Sequence, residues 1–160
     1  MLLYGLKFDY IDHLNYCYHF SGDMEVLSRP KVEEILERQR HFFETGQTRS
    51  VAFRREQLMK LKSMIKDNEK LLMDSIYNDF KKSSFDTFTT ELALVYLEID
   101  EALKKLKKWS SKKRVKHNIV NLPGKSYVLP EPLGLCLIIG AWNYPIQLSL
   151  APVVAAIAAG

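Results

Sequence analysis

The chain has 160 residues, enough for one domain with a real core and short for two. Apolar residues make up 47% and charged residues 26%, an ordinary globular balance that excludes general disorder, and a net charge of +4 is too mild to define a nucleic-acid binder. Two cysteines, Cys17 and Cys136, exclude a disulfide framework and fit a reducing, cytoplasmic setting.

Residues 1–27 read as an unassigned extension, rich in aromatics but without a clean period. Asp9 and Asp12 interrupt any signal-peptide core. His13, Cys17 and His19 lack the further ligand that a zinc site of about four donors needs, so no metal site is expected. Residues 28–117 form a helical lead-in. Ser28 caps a first helix with Pro30 in its opening turn and Glu33 and Glu34 at its positive end. Val32, Ile35, Leu36, Gln39, Phe42 and Phe43 keep helical spacing, and Gly46 stops the run. A second helix from about Ser50 presents Leu58, Leu61 and Ile65. A third from about Asn68 buries Leu72, Ile76 and Phe80. A fourth, from Ser84 to about Trp109, steps through Phe88, Leu92, Val95, Ile99, Leu103 and Leu106.

Residues 104–117 hold eight Lys or Arg around Trp109. One aromatic makes no stacking platform, so the run reads as a solvated helix end whose cations suit the negative dipole, and neither nucleic acid nor anionic membrane is expected there. Residues 118–132 are a bridging region, with a turn at Gly124 and a short strand over Ser126–Leu129. Pro130 and Pro132 keep that strand at an edge.

Residues 133–160 carry the strongest signal. Leu133 to Ile139 is an apolar run between Gly134 and Gly140, predicted as a buried strand; Ala141-Trp142-Asn143-Tyr144-Pro145 is a turn, and an apolar helix of small residues runs to Gly160. Strand, loop and helix in that order open a βαβ unit, and ligands of open α/β sheets sit outside the carboxyl ends of the strands. Trp142 and Asn143 fall there. Asn143 offers two N–H donors on a short side chain, suited to a developing oxyanion, and equally suited to capping the helix that follows. Both readings stand on the residues alone. Cys136 lies inside the predicted strand and reads as a small hydrophobe. No stretch reaches the roughly 18 uninterrupted apolar residues of a spanning helix, since Asn143, Pro145, Gln147 and Pro152 break the longest candidate.

The segment PEPLGLCLIIGAWNYPIQLSLAPVVAAIAAG resembles the aldehyde dehydrogenase superfamily, and most its class 3 branch: the EPLG turn, the strand ending in IG, the WNYP loop and the helix closing on AIAAG. FETGQTRSVAFRREQLMKLKSMI and TELALVYLEIDEALKKLKKW are more loosely similar to helices of that family, so the likeness spans about residues 32–160. It implies an α/β fold in which amino-terminal helices precede the first strand-loop-helix of a Rossmann-like cofactor domain. It also implies oxidation of an aldehyde substrate to a carboxylic acid with NAD or NADP, without deciding between the two. In such enzymes a cysteine thiolate attacks the aldehyde and an asparagine, here Asn143, holds the resulting oxyanion. Ile139, Gly140, Ala141 and Trp142 would lie against the nicotinamide, and Tyr144 would line the substrate tunnel. The family's nucleophile and catalytic glutamate belong to segments with no counterpart in these residues, and neither Cys17 nor Cys136 matches the nucleophile. The chain is therefore expected to be inactive alone, as the amino-terminal part of a homodimeric enzyme. The alternative is a non-catalytic module that dimerises with full-length subunits and regulates them. Membrane attachment stays undetermined, because the family's long-chain branch anchors through a carboxyl-terminal tail.

Overall fold

The computed structural model describes residues 29–116, 118–121 and 123–160. The aromatic extension, its His13, Cys17 and His19, and the Ser28 cap lie outside the described residues. Helix α1 spans Arg29–Glu44, α2 Val51–Asp67 and α3 Glu69–Phe80. A short α4, Ser84–Thr87, runs through a π-helical turn at Phe88–Leu92 into α5, Ala93–Trp109. Strands β1, Lys113–Val115, and β2, Ser126–Val128, form an antiparallel ribbon, and α6 spans Pro145–Ala159.

Local chemistry accounts for the helix ends. Gly46 stops α1 with φ 74, a left-handed conformation that costs glycine little. Ser50 caps α2 by accepting a hydrogen bond from the Phe53 amide, and Ser83 caps α4 by accepting one from the Asp86 amide. Asn68 takes the cap position of α3 without a side-chain bond to it.

The core joins α2, α3, the α4–α5 rod and α6: Leu58, Leu61 and Ile65; Leu72 and Ile76; Leu92, Val95, Ile99, Ala102 and Leu106; Ile146, Val153, Val154, Ile157 and Ala158. In α2, α3 and the α4–α5 rod the stripes read from the sequence are the buried stripes, apart from Leu103, which is half-buried, and two phenylalanines. Phe80 and Phe88 are exposed rather than buried, because each falls at an end of its helix where no neighbour covers it fully. The apolar side of α1 is only half covered, and Val32 and Leu36 face solvent.

Two further differences concern β structure. The basic run does not stay helical: α5 ends at Trp109, and Lys113–Val115 pairs with Ser126–Val128 as Lys113↔Val128, Arg114↔Tyr127 and Val115↔Ser126. Lys112 lies over the Tyr127 ring at 4.9 Å, so part of the basic run is organised by the ribbon. The predicted strand at Leu133–Ile139 forms no ladder among the described residues. Most of its side chains stand in solvent, with Leu133 103%, Leu137 86% and Ile139 84% exposed, while Ile138 packs half-buried against the core. A strand apolar on both faces needs neighbours about 4.8 Å away on its edges and cover above and below; the described residues supply no edge neighbour and cover the run only at Ile138. Cys136 is exposed for the same reason, not buried as a small hydrophobe.

Candidate functional site

The loop from Gly140 to Tyr144 leads directly into α6, whose first residue is Pro145. A proline suits that position, since it has no N–H to leave unpaired and its φ is already helical. Tyr144 takes the cap position with φ −136 and provides no side-chain bond. The unpaired amides of the first turn are satisfied from elsewhere: Glu91 accepts hydrogen bonds at Oε2 from the Ile146 amide at 2.9 Å and the Gln147 amide at 3.4 Å. Glu91 is fully buried, and its other oxygen accepts from Lys82 Nζ at 2.8 Å. A buried carboxylate at the positive end of a helix is stabilised by the helix dipole as well as by the two amides.

The far end of α6 has the complementary arrangement. Arg54 donates from Nη1 to the Ala158 carbonyl at 2.8 Å and the Ala159 carbonyl at 3.2 Å, and from Nη2 to the Arg49 carbonyl at 2.8 Å. Burial lowers the Arg54 guanidinium pKa from its usual range. The sequence reading missed both residues, although a signal was present. Arg54 is in helical register with Leu58, Leu61 and Ile65, and Glu91 with Val95, Ile99 and Leu106, so each is a charge placed on a buried stripe.

The loop itself is gripped on both sides of Asn143. Trp142 stacks on Phe80, with ring centroids 6.2 Å apart and planes inclined by 23°, and Lys82 Nζ sits 4.3 Å from the centre of the Tyr144 ring. Gly140 packs against α6 so closely that an added Cβ would fall 2.1 Å from Ser149 Oγ and 3.3 Å from the Ser149 amide nitrogen. Its missing side chain thus faces the helix and not a ligand.

Asn143 is exposed, does not cap α6, and its side chain makes no hydrogen bond to any described residue. Of the two readings open on the residues, helix capping is the one this geometry does not contain. Ile139, Ala141 and Trp142 are exposed beside Asn143, offering backbone and ring surface on which a flat heterocycle can lie, and Tyr144 is exposed at the helix start. Among the described residues no group of three or more His, Cys, Asp or Glu is placed to hold a metal ion, and no helix is long and apolar enough to cross a membrane.

A helical core and a separate two-stranded ribbon, then an apolar run, a clamped loop and a buried-type helix, are consistent with part of an α/β fold. The family model described as "Aldehyde dehydrogenase family" matches residues 18–160, beginning upstream of the likeness visible from residue 32. Aldehyde dehydrogenase family 3 member A2 of Pongo abelii is 41% identical over 129 residues, 81% of this chain and 27% of that protein. Family 3 member B1 of Mus musculus is 40% identical over 128 residues, 80% of this chain and 27% of that protein. Among solved structures, one titled "Substrate bound state of Staphylococcus Aureus AldH" superposes with a TM-score of 0.79 at 39% identity, covering 81% of this chain and 28% of that one. The chain belongs to the aldehyde dehydrogenase family, and it spans a little over a quarter of the length of these relatives.

Proposed function

We propose that this chain contributes the oxyanion donor and part of the nicotinamide wall to an NAD(P)-dependent enzyme that oxidises aldehydes to carboxylic acids. One observation carries the reading: the Asn143 amide is exposed and uncommitted, on a loop whose two flanking rings are held. When a thiolate adds to an aldehyde, charge gathers on the former carbonyl oxygen. A neutral N–H donor fixed beforehand stabilises that charge without reorganising, and losing one such donor typically costs about 100- to 1000-fold in rate. Asn143 would donate that bond. Ile139, Gly140, Ala141 and Trp142 would bear on the cofactor, which when bound takes up the hydride. Tyr144 would line the approach of the aldehyde.

The nucleophile and general base are assigned to polypeptide other than these residues. Cys136 is exposed on the apolar run seven positions before Asn143 in the sequence and does not match the family's nucleophile. The chain alone is therefore expected to produce no reduced cofactor from an aldehyde and NAD or NADP. A hybrid in which residues 32–160 replace the matching segment of the Staphylococcus aureus enzyme should turn over, and Asn143→Ala in that hybrid should lower kcat about 100- to 1000-fold. Unchanged kcat in Asn143→Ala would reject the oxyanion role. A second reading is favoured by the exposed run of Leu133, Leu137 and Ile139: association with full-length subunits would cover it, as a homodimer or a regulatory pairing. Co-elution of the chain with a full-length family 3 subunit would support it, and separate elution would reject it.

A further inference from the structure

We infer that the Lys82–Glu91 pair, whose carboxylate is fully buried, together with Phe80, is a positioning device for Asn143, so that chemistry at that amide depends on residues at or just past the end of α3 and in the π-helical turn that never touch substrate. This rests on the oxyanion reading above and deepens it. The two neighbours of Asn143 are each held by a residue just at or past the end of α3: Trp142 by Phe80 and Tyr144 by Lys82. Asn143 itself is held by nothing, which leaves its donors for a ligand.

The third hold comes from Glu91. Its Oε2 takes the first two free amides of α6, fixing where the helix starts and therefore where the loop ends. Its Oε1 takes Lys82, which in turn covers the Tyr144 ring. Lys82 thus links the two holds, with its ammonium shared between a carboxylate and an aromatic face. An ordinary cap would be a Ser, Thr, Asp or Asn at position 144, worth about 1 kcal/mol at low desolvation cost. Here a carboxylate from 55 residues upstream is fully buried instead, which is costly unless it is paired. Glu91 lies in a π-helical turn, whose extra residue shifts the side chains relative to a regular helix and is frequent at functional sites.

Charge balance matters as much as geometry. An unpaired carboxylate beside the loop would oppose the negative charge that Asn143 is there to stabilise, and Lys82 neutralises it. Glu91 and Lys82 are thus positioning residues, and the reacting atoms meet only Asn143.

The experiment reads mobility in the 160-residue chain and rate in the hybrid enzyme. The NMR order parameter of the Asn143 backbone amide should be about 0.85 in the unaltered chain and fall below about 0.6 in Glu91→Gln and in Lys82→Met, with α5 amides unchanged. Lys82→Met keeps the bonds from Glu91 to α6, so it reports even where Glu91→Gln folds poorly. In the hybrid, each variant should lower kcat by roughly 10- to 100-fold with KM for the cofactor little changed, the scale expected of a misplacement near 1 Å. In the Asn143→Ala background, Glu91→Gln should cost no further rate. A low order parameter in the unaltered chain, or one that neither variant moves, overturns the positioning role, as does a full extra loss from Glu91→Gln in the Asn143→Ala background. Asn143→Ala without effect on rate would instead reject the oxyanion reading, while the order parameters still judge the clamp.

Discussion

Replacing Arg54 with Met tests whether α6 is held in place by a charge on α2. The substitution keeps a long, mostly apolar side chain and removes three hydrogen bonds, to the carbonyls of Ala158, Ala159 and Arg49. Their losses are unequal. Ala159 is exposed, so water can replace the donor there; Ala158 is 7% exposed, and its carbonyl would be left buried without that partner. An uncompensated buried acceptor costs about 1–3 kcal/mol, and the part-buried Arg49 carbonyl adds about 1 kcal/mol more. Relief of the guanidinium's own desolvation returns part of this, since burial already disfavours the charged form. The net expectation is a loss of about 2 kcal/mol, roughly a 30-fold shift in the unfolding equilibrium. At a urea slope of about 2 kcal/mol/M, the midpoint should fall by about 1 M with the slope unchanged. Amide exchange localises the effect: the last turn of α6 should lose protection before α5 does. Arg54→Lys, with one ammonium in place of a fork, should fall between the two. An unchanged midpoint and unchanged α6 protection in Arg54→Met would refute the claim that this guanidinium anchors the helix.

Two further outcomes follow from the same geometry. Tyr96 donates to Glu69 Oε1 at 2.6 Å, and burial first, then that bond and the nearby Glu69 and Asp67 charges, push the phenol well above its ordinary pKa of 10.0. A raised folded-state pKa stabilises the fold below the unfolded value and is lost above it, so stability should hold up to about pH 10 and decline beyond. Tyr96→Phe should cost roughly 1–2 kcal/mol at neutral pH and flatten that alkaline decline, as followed by urea unfolding at several pH values. Gly140→Ala should push the loop off α6: Ser149 Oγ can rotate away from the new methyl, but the Ser149 amide nitrogen at 3.3 Å cannot. Loss of the Trp142 contact with Phe80, read as a shift in tryptophan emission, should therefore persist in Gly140→Ala combined with Ser149→Ala.

The helices were legible because period and punctuation agreed. Ser50, Asn68, Ser84 and Trp109 sit at or next to the observed helix ends, and the stripes through Leu58, Leu72 and Val95 are the stripes the core buries. The WNYP loop was legible from its glycine, aromatics and proline. What stayed hidden depends on partners distant in the sequence. Lys113–Val115 has no strand composition of its own; its conformation follows from the register it takes against Ser126–Val128. Phe80 kept the helical period but stacks on Trp142, 62 positions later, instead of entering the core. Leu133–Ile139 shows the converse: the pattern describes a strand covered on both faces, and no regular element forms there among the described residues.

Glu91 and Arg54 explain why local sequence could not show how the ends of α6 are satisfied. Helix α6 contains no Asp, Glu, Lys or Arg, and its own cap residue contributes no side-chain bond, so both ends depend on groups brought by the tertiary fold. An asparagine beside such a helix would ordinarily be the cheapest source of a cap, and that is the reading local rules favour. Once a buried carboxylate serves the first-turn amides, the asparagine is not needed as a cap, and its side chain bonds to none of the described residues. The cap of α6 is thus supplied from position 91, and a charged residue on the buried stripe of α5 and its preceding turn is the mark that arrangement leaves in the sequence.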